Sequence, residues 1–187
     1  MRLVILGGTG SGKSTQTARL SEKLMIPFIC SGEILKIEIN RGSDLGKKAK
    51  YYVEKGELVP DELTIQFIEQ RLLKPDVSKG WILSGYPRTA FQAEELDFLL
   101  NRLQQKLDRA IYLKVSESVM KQRALGRASD GDISEVIDRR LQNFQKFTVP
   151  ILEYYQYSDR LLTIDGDEDT QTVTQKIIAQ LESRSSY

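Results

Sequence analysis

The chain is 187 residues long, 40% hydrophobic and 28% charged, with 27 basic and 26 acidic residues and a formal net charge of +1. That length suits one α/β domain with its own core, and the near-neutral charge does not argue for nucleic acid or membrane as partner. The absence of histidine excludes a Ser-His-Asp triad, a Cys-His pair and any histidine-held metal.

The first predicted element is a strand over 2–6, carrying the apolar run Leu3-Val4-Ile5-Leu6. This run is too short for a signal peptide, and no other stretch is long enough to span a bilayer. Residues 7–15 follow at once and read Gly-Gly-Thr-Gly-Ser-Gly-Lys-Ser-Thr. They match the phosphate-binding loop GxxxxGK[ST] in full, between a strand and a helix predicted over 12–24. The glycines let backbone N–H groups turn inward around phosphate oxygens. Gly8, Gly10, Ser11, Gly12, Ser14 and Thr15 would form that cradle, with Lys13 reaching the β- and γ-phosphates. The helix that follows points its positive end at the same anion.

A second strand over 27–30 ends at Cys30, the single cysteine, which excludes an intrachain disulfide and reads as a buried strand residue. A cytoplasmic location fits this usage. The helix predicted over 31–41 opens on Ser31-Gly32, a suitable N-cap, and Lys36 adds a cation one turn in. Helices over 44–55 and 60–74 precede a strand over 80–84. That strand runs into Gly85-Tyr86-Pro87-Arg88-Thr89, with Gln92 beyond. Ligands of open α/β sheets sit off the carboxyl ends of strands. Arg88 is therefore expected near the mouth of the phosphate loop, where a guanidinium can hold phosphate oxygens in pairs.

A helix over 89–105 and a strand over 109–115 come next. On the helix predicted over 116–127, Val119, Met120, Arg123 and Arg127 share a face, with the two arginines one turn apart. Residues 128–132, polar and without period, are predicted to be a short loop. A helix is predicted over 133–156. Its first part carries an apolar stripe of Ile133, Val136, Ile137, Leu141, Phe144 and Phe147. Arg140 falls inside this stripe, whereas Arg139 points away as a surface residue. A charge on an apolar face needs a partner, and either a phosphate or an internal carboxylate would serve. Together Lys13, Arg88, Arg123, Arg127 and Arg140 would balance a polyphosphate rather than one carboxylate. A strand over 160–164 and a helix over 169–182 complete the alternation, and the last residues, 182–187, are expected to fray. Alternating strands and helices predict a parallel sheet covered on both faces.

These pieces resemble the adenylate kinase family of nucleoside monophosphate kinases over nearly the whole chain. They stand in family order: 7–16, Ser31-Gly32-Glu33, Gly56-Glu57-Leu58-Val59-Pro60-Asp61-Glu62, 85–89 with Gln92, Arg123 with Gly126-Arg127, Arg140-Leu141, Pro150 with Tyr154-Tyr155, and Ile164-Asp165-Gly166. The resemblance implies a single α/β kinase domain over 1–187, with a five-stranded parallel sheet of the P-loop NTPase type and helices on both faces. Its core would be 1–29, 60–125 and 133–187. A helical arm over 30–59 would bind the monophosphate, and a short lid over 126–132 would cover ATP. The implied reaction is ATP + AMP ⇌ 2 ADP with Mg²⁺, by in-line transfer of the γ-phosphoryl group. The catalytic set would be Lys13, Arg88, Arg123, Arg127 and Arg140. Arg123 would lie against the ATP adenine, Arg127 on its phosphates, and Glu168 in the same site. Arg88, Lys36 and Arg140 would meet the AMP phosphate. Ser31, Gly32, Glu57, Leu58, Val59, Gly85 and Gln92 would shape the AMP pocket, with Gln92 hydrogen-bonding the base. Thr89 with Gln92 favours AMP over pyrimidine monophosphates. The short lid leaves no room for a zinc-binding insertion. ATP, AMP and ADP would be the partners of a monomeric enzyme that meets neither nucleic acid nor membrane.

The chain departs from the family pattern at several places. Thr9 replaces a proline, Ser31 and Glu33 replace Thr and Asp, and Lys36 replaces an arginine, so a paired grip becomes a point charge. The stretch Ala128-Ser129-Asp130 lacks a lid arginine. Ser84 stands in place of an Asp that orients the metal's water shell, and Ser14 in place of a glycine. Ser14 is therefore the metal-site candidate, its hydroxyl compensating in part for Ser84. Two other readings stay open: a UMP or CMP kinase, and a weakened nucleotide-binding sensor.

Overall fold

The computed structural model describes residues 1–126 and 134–183. Strands β1 (Arg2–Leu6), β2 (Phe28–Cys30), β3 (Trp81–Ser84), β4 (Arg109–Lys114) and β5 (Leu161–Asp165) form one parallel sheet in the order β2-β3-β1-β4-β5. The pairs Ile5↔Ser84 and Cys30↔Ser84 align the carboxyl ends of β1, β2 and β3. Connections leave β1 and β3 toward opposite sides, so the crevice between those two strands is the switch point of the sheet.

The central strands β1 and β3 are buried along nearly their whole length because both faces are covered, whereas the edge strand β5 alternates, with Thr163 and Asp165 exposed. In β1, Val4 and Leu6 face one core, and Leu3 and Ile5 face the other. The first core is closed by α4 (Asp61–Leu72), α5 (Ala90–Arg102) and α8 (Pro150–Tyr157), through Phe67, Leu96, Ile151 and Tyr155. The second is closed by α1 (Lys13–Leu24) and α9 (Thr170–Ser183), through Leu20, Val173 and Ile177. Helices α2 (Ser31–Arg41) and α3 (Asp44–Lys55) pack on each other as a hairpin, with Ser43 Oγ capping α3 by accepting from Gly46 N–H at 3.0 Å. A third, smaller cluster joins α6 (Glu117–Gly126) to α7 (Ser134–Asn143) through Met120, Ala124, Ile137 and Leu141.

The helix expected over 133–156 is not continuous. It is interrupted by a π turn over Phe144–Thr148 before α8 begins at Pro150. Pro150 has no N–H for the carbonyl one turn back, and its ring crowds that carbonyl. Val149 N–H instead bonds to Phe144 O at 3.0 Å. The wider turn buries Thr148 and leaves Phe147 half-exposed, against the expected stripe. The expected N-cap at Ser31 is also corrected. Ser31 is already the first residue of α2, and the cap position is Cys30, without a side-chain capping bond. Cys30 is half-buried rather than buried. Ile133, Arg127, the polar loop and the proposed lid beyond Gly126 lie outside the described residues, as do 184–187.

Far from the switch point, Arg160 donates to both oxygens of Asp97 at 2.7 Å, and the Tyr154 hydroxyl donates to Asp97 Oδ2 at 2.5 Å. This network ties α5 and α8 to the start of β5. Asp97→Ala strands a partly buried guanidinium and a phenol. It is expected to lower unfolding free energy by about 2 kcal/mol in a urea titration while leaving catalysis intact.

Candidate active site

The phosphate loop leaves β1 at Gly7 and becomes α1 at Lys13. Gly10 holds φ +81°, and a Cβ there would lie 2.0 Å from the Met120 carbonyl oxygen of α6. Only glycine lets the loop pack this closely. Lys13 Nζ donates to the carbonyls of Gly7 and Gly8, both at 2.6 Å, which holds the ammonium over the loop. Ser11 is buried, whereas Ser14 and Thr15 are exposed on the first turn of α1. Their hydroxyls are hard oxygen donors of the kind Mg²⁺ takes beside phosphate oxygens. Ser84 is buried and neutral at the end of β3.

The loop after β3 makes the facing wall. Gly85 has φ +80°, and a Cβ there would lie 2.5 Å from Ser31 Oγ, so the ends of β2 and β3 come together. Arg88 Nε donates to Gly85 O at 2.8 Å, and Thr148 Oγ1 donates to Arg88 O at 2.9 Å. The π turn thus buttresses the arginine. Enclosure by protein, and then the charge of Arg140, hold the Arg88 guanidinium below its ordinary pKa, although its surface reaches the cleft solvent. Two guanidiniums in one cleft repel each other and are relieved by a multiply charged anion. Thr89 caps α5 by accepting from Gln92 N–H at 3.2 Å. The Tyr86 hydroxyl donates to Gln92 O at 3.0 Å, and burial, with Glu95 and Asp61 nearby, pushes the phenol's pKa up.

Between these walls is a cleft of about 260 Å³. Ser31, Gly32 and Lys36 enter it from the start of α2, and Glu57, Leu58 and Val59 from the segment before α4. Gly85, Arg88 and Gln92 enter from the β3–α5 loop and α5, and Arg140 from α7. Gly8 and Lys13 bring the phosphate loop to the same space. The other described residues read as ATP-binding lie outside this cleft. Arg123 donates to Gly166 O at 2.9 Å and Asp167 O at 3.3 Å, beside the end of β5. Glu168 pairs with Lys176 at 2.7 Å.

Several contributors were not read from the sequence. Asn143 Nδ2 donates to Gly56 O at 3.1 Å and Glu57 Oε2 at 3.3 Å, tying α7 to the far wall. Its spacing of three from Arg140 was the available signal. Arg139 is exposed, as expected, but not alone: it reaches Glu57 Oε1 at 3.4 Å. Thr148 carried no motif, and Asp61 stood only within the segment 56–62, with no role assigned to it.

Residues 5–160 match the family described as Adenylate kinase. A Nostoc sp. protein named Adenylate kinase 2 is 58% identical over 181 residues, covering 97% of this chain and 98% of that protein. The chain belongs to the adenylate kinase family. An Adenylate kinase 2 of Synechocystis sp. is 52% identical, with 97% of this chain and 100% of that protein covered. The Adenylate kinase of Stenotrophomonas maltophilia is 40% identical, covering 98% of this chain and 100% of its own. The five-stranded parallel sheet and phosphate loop are those expected of an adenylate kinase, an ATP:AMP phosphotransferase. The readings as a pyrimidine monophosphate kinase or a sensor gain no support from these relatives.

Proposed function

We propose that the cleft is the AMP site and that Lys13 marks its border with ATP. The observation that carries this is convergence. Residues from α2, the segment before α4, the β3–α5 loop and α7, each read as AMP-binding, line one space that reaches the phosphate loop. The loop amides and Lys13 hold the ATP phosphates. Arg88 and Arg140 hold the AMP phosphate and orient it for in-line attack on the γ-phosphoryl group. Their charges, with that of Lys13, balance charge developing on the transferring group. Lys36 adds a point charge at the same mouth. Arg123 braces the loop after β5 against which the ATP adenine lies, with Glu168 beside it, and Arg127 belongs with the ATP phosphates. The arm is 30–59, the short lid 126–132, and the rest is core.

The test is a coupled assay with ATP and each of AMP, UMP, CMP and GMP. AMP should be preferred; preference for a pyrimidine acceptor would reassign the pocket. The same reading makes the enzyme a cytoplasmic monomer. Among the described residues no helix is long and apolar enough to cross a membrane, and gel filtration tests the assembly.

Mg²⁺ bound with ATP supplies charge neutralisation on the phosphates. Ser14 is the residue of this chain best placed to hold it, in place of the carboxylate that Ser84 does not offer. Ser14→Gly should raise the half-saturating Mg²⁺ concentration, roughly threefold, for one neutral ligand lost among phosphate oxygens. An unchanged Mg²⁺ titration would remove Ser14 from the metal site.

A further inference from the structure

Gln92 is 2% exposed, yet it lines the cleft. Its side-chain amide is held by two groups of opposite character. Arg88 N–H donates to Oε1 at 2.8 Å, and Nε2 donates to Oδ1 of Asp61 at 2.7 Å. Turning the amide over would set NH₂ against N–H and the carbonyl against a carboxylate. Both contacts would then be repulsive, so one orientation survives. In that orientation Nε2 keeps one N–H for a ligand. Such a donor suits a base that offers a ring-nitrogen acceptor and opposes a base that carries N–H at the same position.

Asp61 is placed for this task. It is the first residue of α4, directly after the segment that walls the cleft at Gly56, Glu57, Leu58 and Val59. Its carboxylate also receives the Thr89 hydroxyl, at 3.4 Å to each oxygen. One acidic group therefore braces both the cap of α5 and the amide that α5 presents. Asp61 itself does not line the cleft.

We propose that Asp61 is a positioning residue for base selection, locking Gln92 so that its free N–H meets adenine N1 and repels the N1–H of a 6-oxopurine. This rests on the reading above that AMP occupies the cleft with its base at Gln92. Asp61 acts only through that amide.

AMP and IMP share their sugar phosphate and differ at the purine 6-position and N1. The experiment measures kcat/KM for each, with ATP, in the wild type, Asp61→Ala, Asp61→Asn and Gln92→Ala, alongside thermal melts. Asp61→Ala should cut the AMP-over-IMP ratio about tenfold, the scale of one charge-assisted hydrogen bond lost from a discriminating group. Asp61→Asn keeps an acceptor without the charge and should lose about threefold. A purely structural role would lower both substrates in parallel. An unchanged ratio in Asp61→Ala, with a collapsed ratio in Gln92→Ala, overturns the role of Asp61 and leaves the base pocket standing. An unchanged ratio in Gln92→Ala overturns both. If Asp61→Ala does not fold, the ratio in Asp61→Asn decides, and no change there overturns the proposal.

Discussion

Lys13→Met is expected to lower turnover by about a hundredfold or more while the protein stays folded. The ammonium makes its described bonds to Gly7 O and Gly8 O, at the rim of the loop, and the residue is not buried. Little core energy is therefore at stake, and methionine fits the same path as lysine's aliphatic stem. On the proposed reading, what is lost is a fixed cation at the β- and γ-phosphates, where charge shifts during transfer. Preorganised charge of this kind costs no reorganisation at the moment of reaction. Circular dichroism and the melting curve should match the wild type as the ATP/AMP assay fails. Full turnover in this variant would contradict the placement of the γ-phosphate at Lys13.

Arg88→Ala is expected to raise the KM for AMP and lower kcat together, with kcat/KM down about a hundredfold or more. The side chain is aimed by two contacts, its own Nε to Gly85 O and the Thr148 hydroxyl on its carbonyl. An acceptor phosphate gripped there is both bound and oriented, and orientation enters kcat. The stability effect should be small. The Arg88 side chain is exposed to the cleft, and its described bond is from Nε to Gly85 O, so the melting temperature should hold even as activity falls. ATP affinity should not move. An unchanged KM for AMP would place the acceptor phosphate elsewhere.

Much of this site was legible because its determinants are local. Glycines at fixed spacing, a lysine at the start of α1 and an arginine just past β3 set their own backbone geometry. The alternation of apolar strands with amphipathic helices was enough for a parallel sheet, since only burial on both faces explains runs such as Leu3–Leu6. Helical angle put Arg140 toward the site, and the structure has it lining the cleft. The same angle left Arg139 on the surface, where it is exposed, although the face opposite a stripe can still meet another element. The segment before α4 brings Glu57 to it.

The amino-acid sequence by itself determined the strand–helix alternation, the phosphate loop and the identity of the cationic side chains. These follow from period, glycine and charge, which act within a few residues of chain. Tertiary structure decided which of those groups converge and what holds them. Thr148 reaches Arg88 across a separation of 60 residues, and Gln92 reaches Asp61 across 31. Both pairings depend on how crossover helices pack on the sheet. One also needs a π turn, where a proline without an N–H forces a wider bond onto Phe144. Hydrogen bonds between distant segments exist only after those packings form, so no local pattern encodes them.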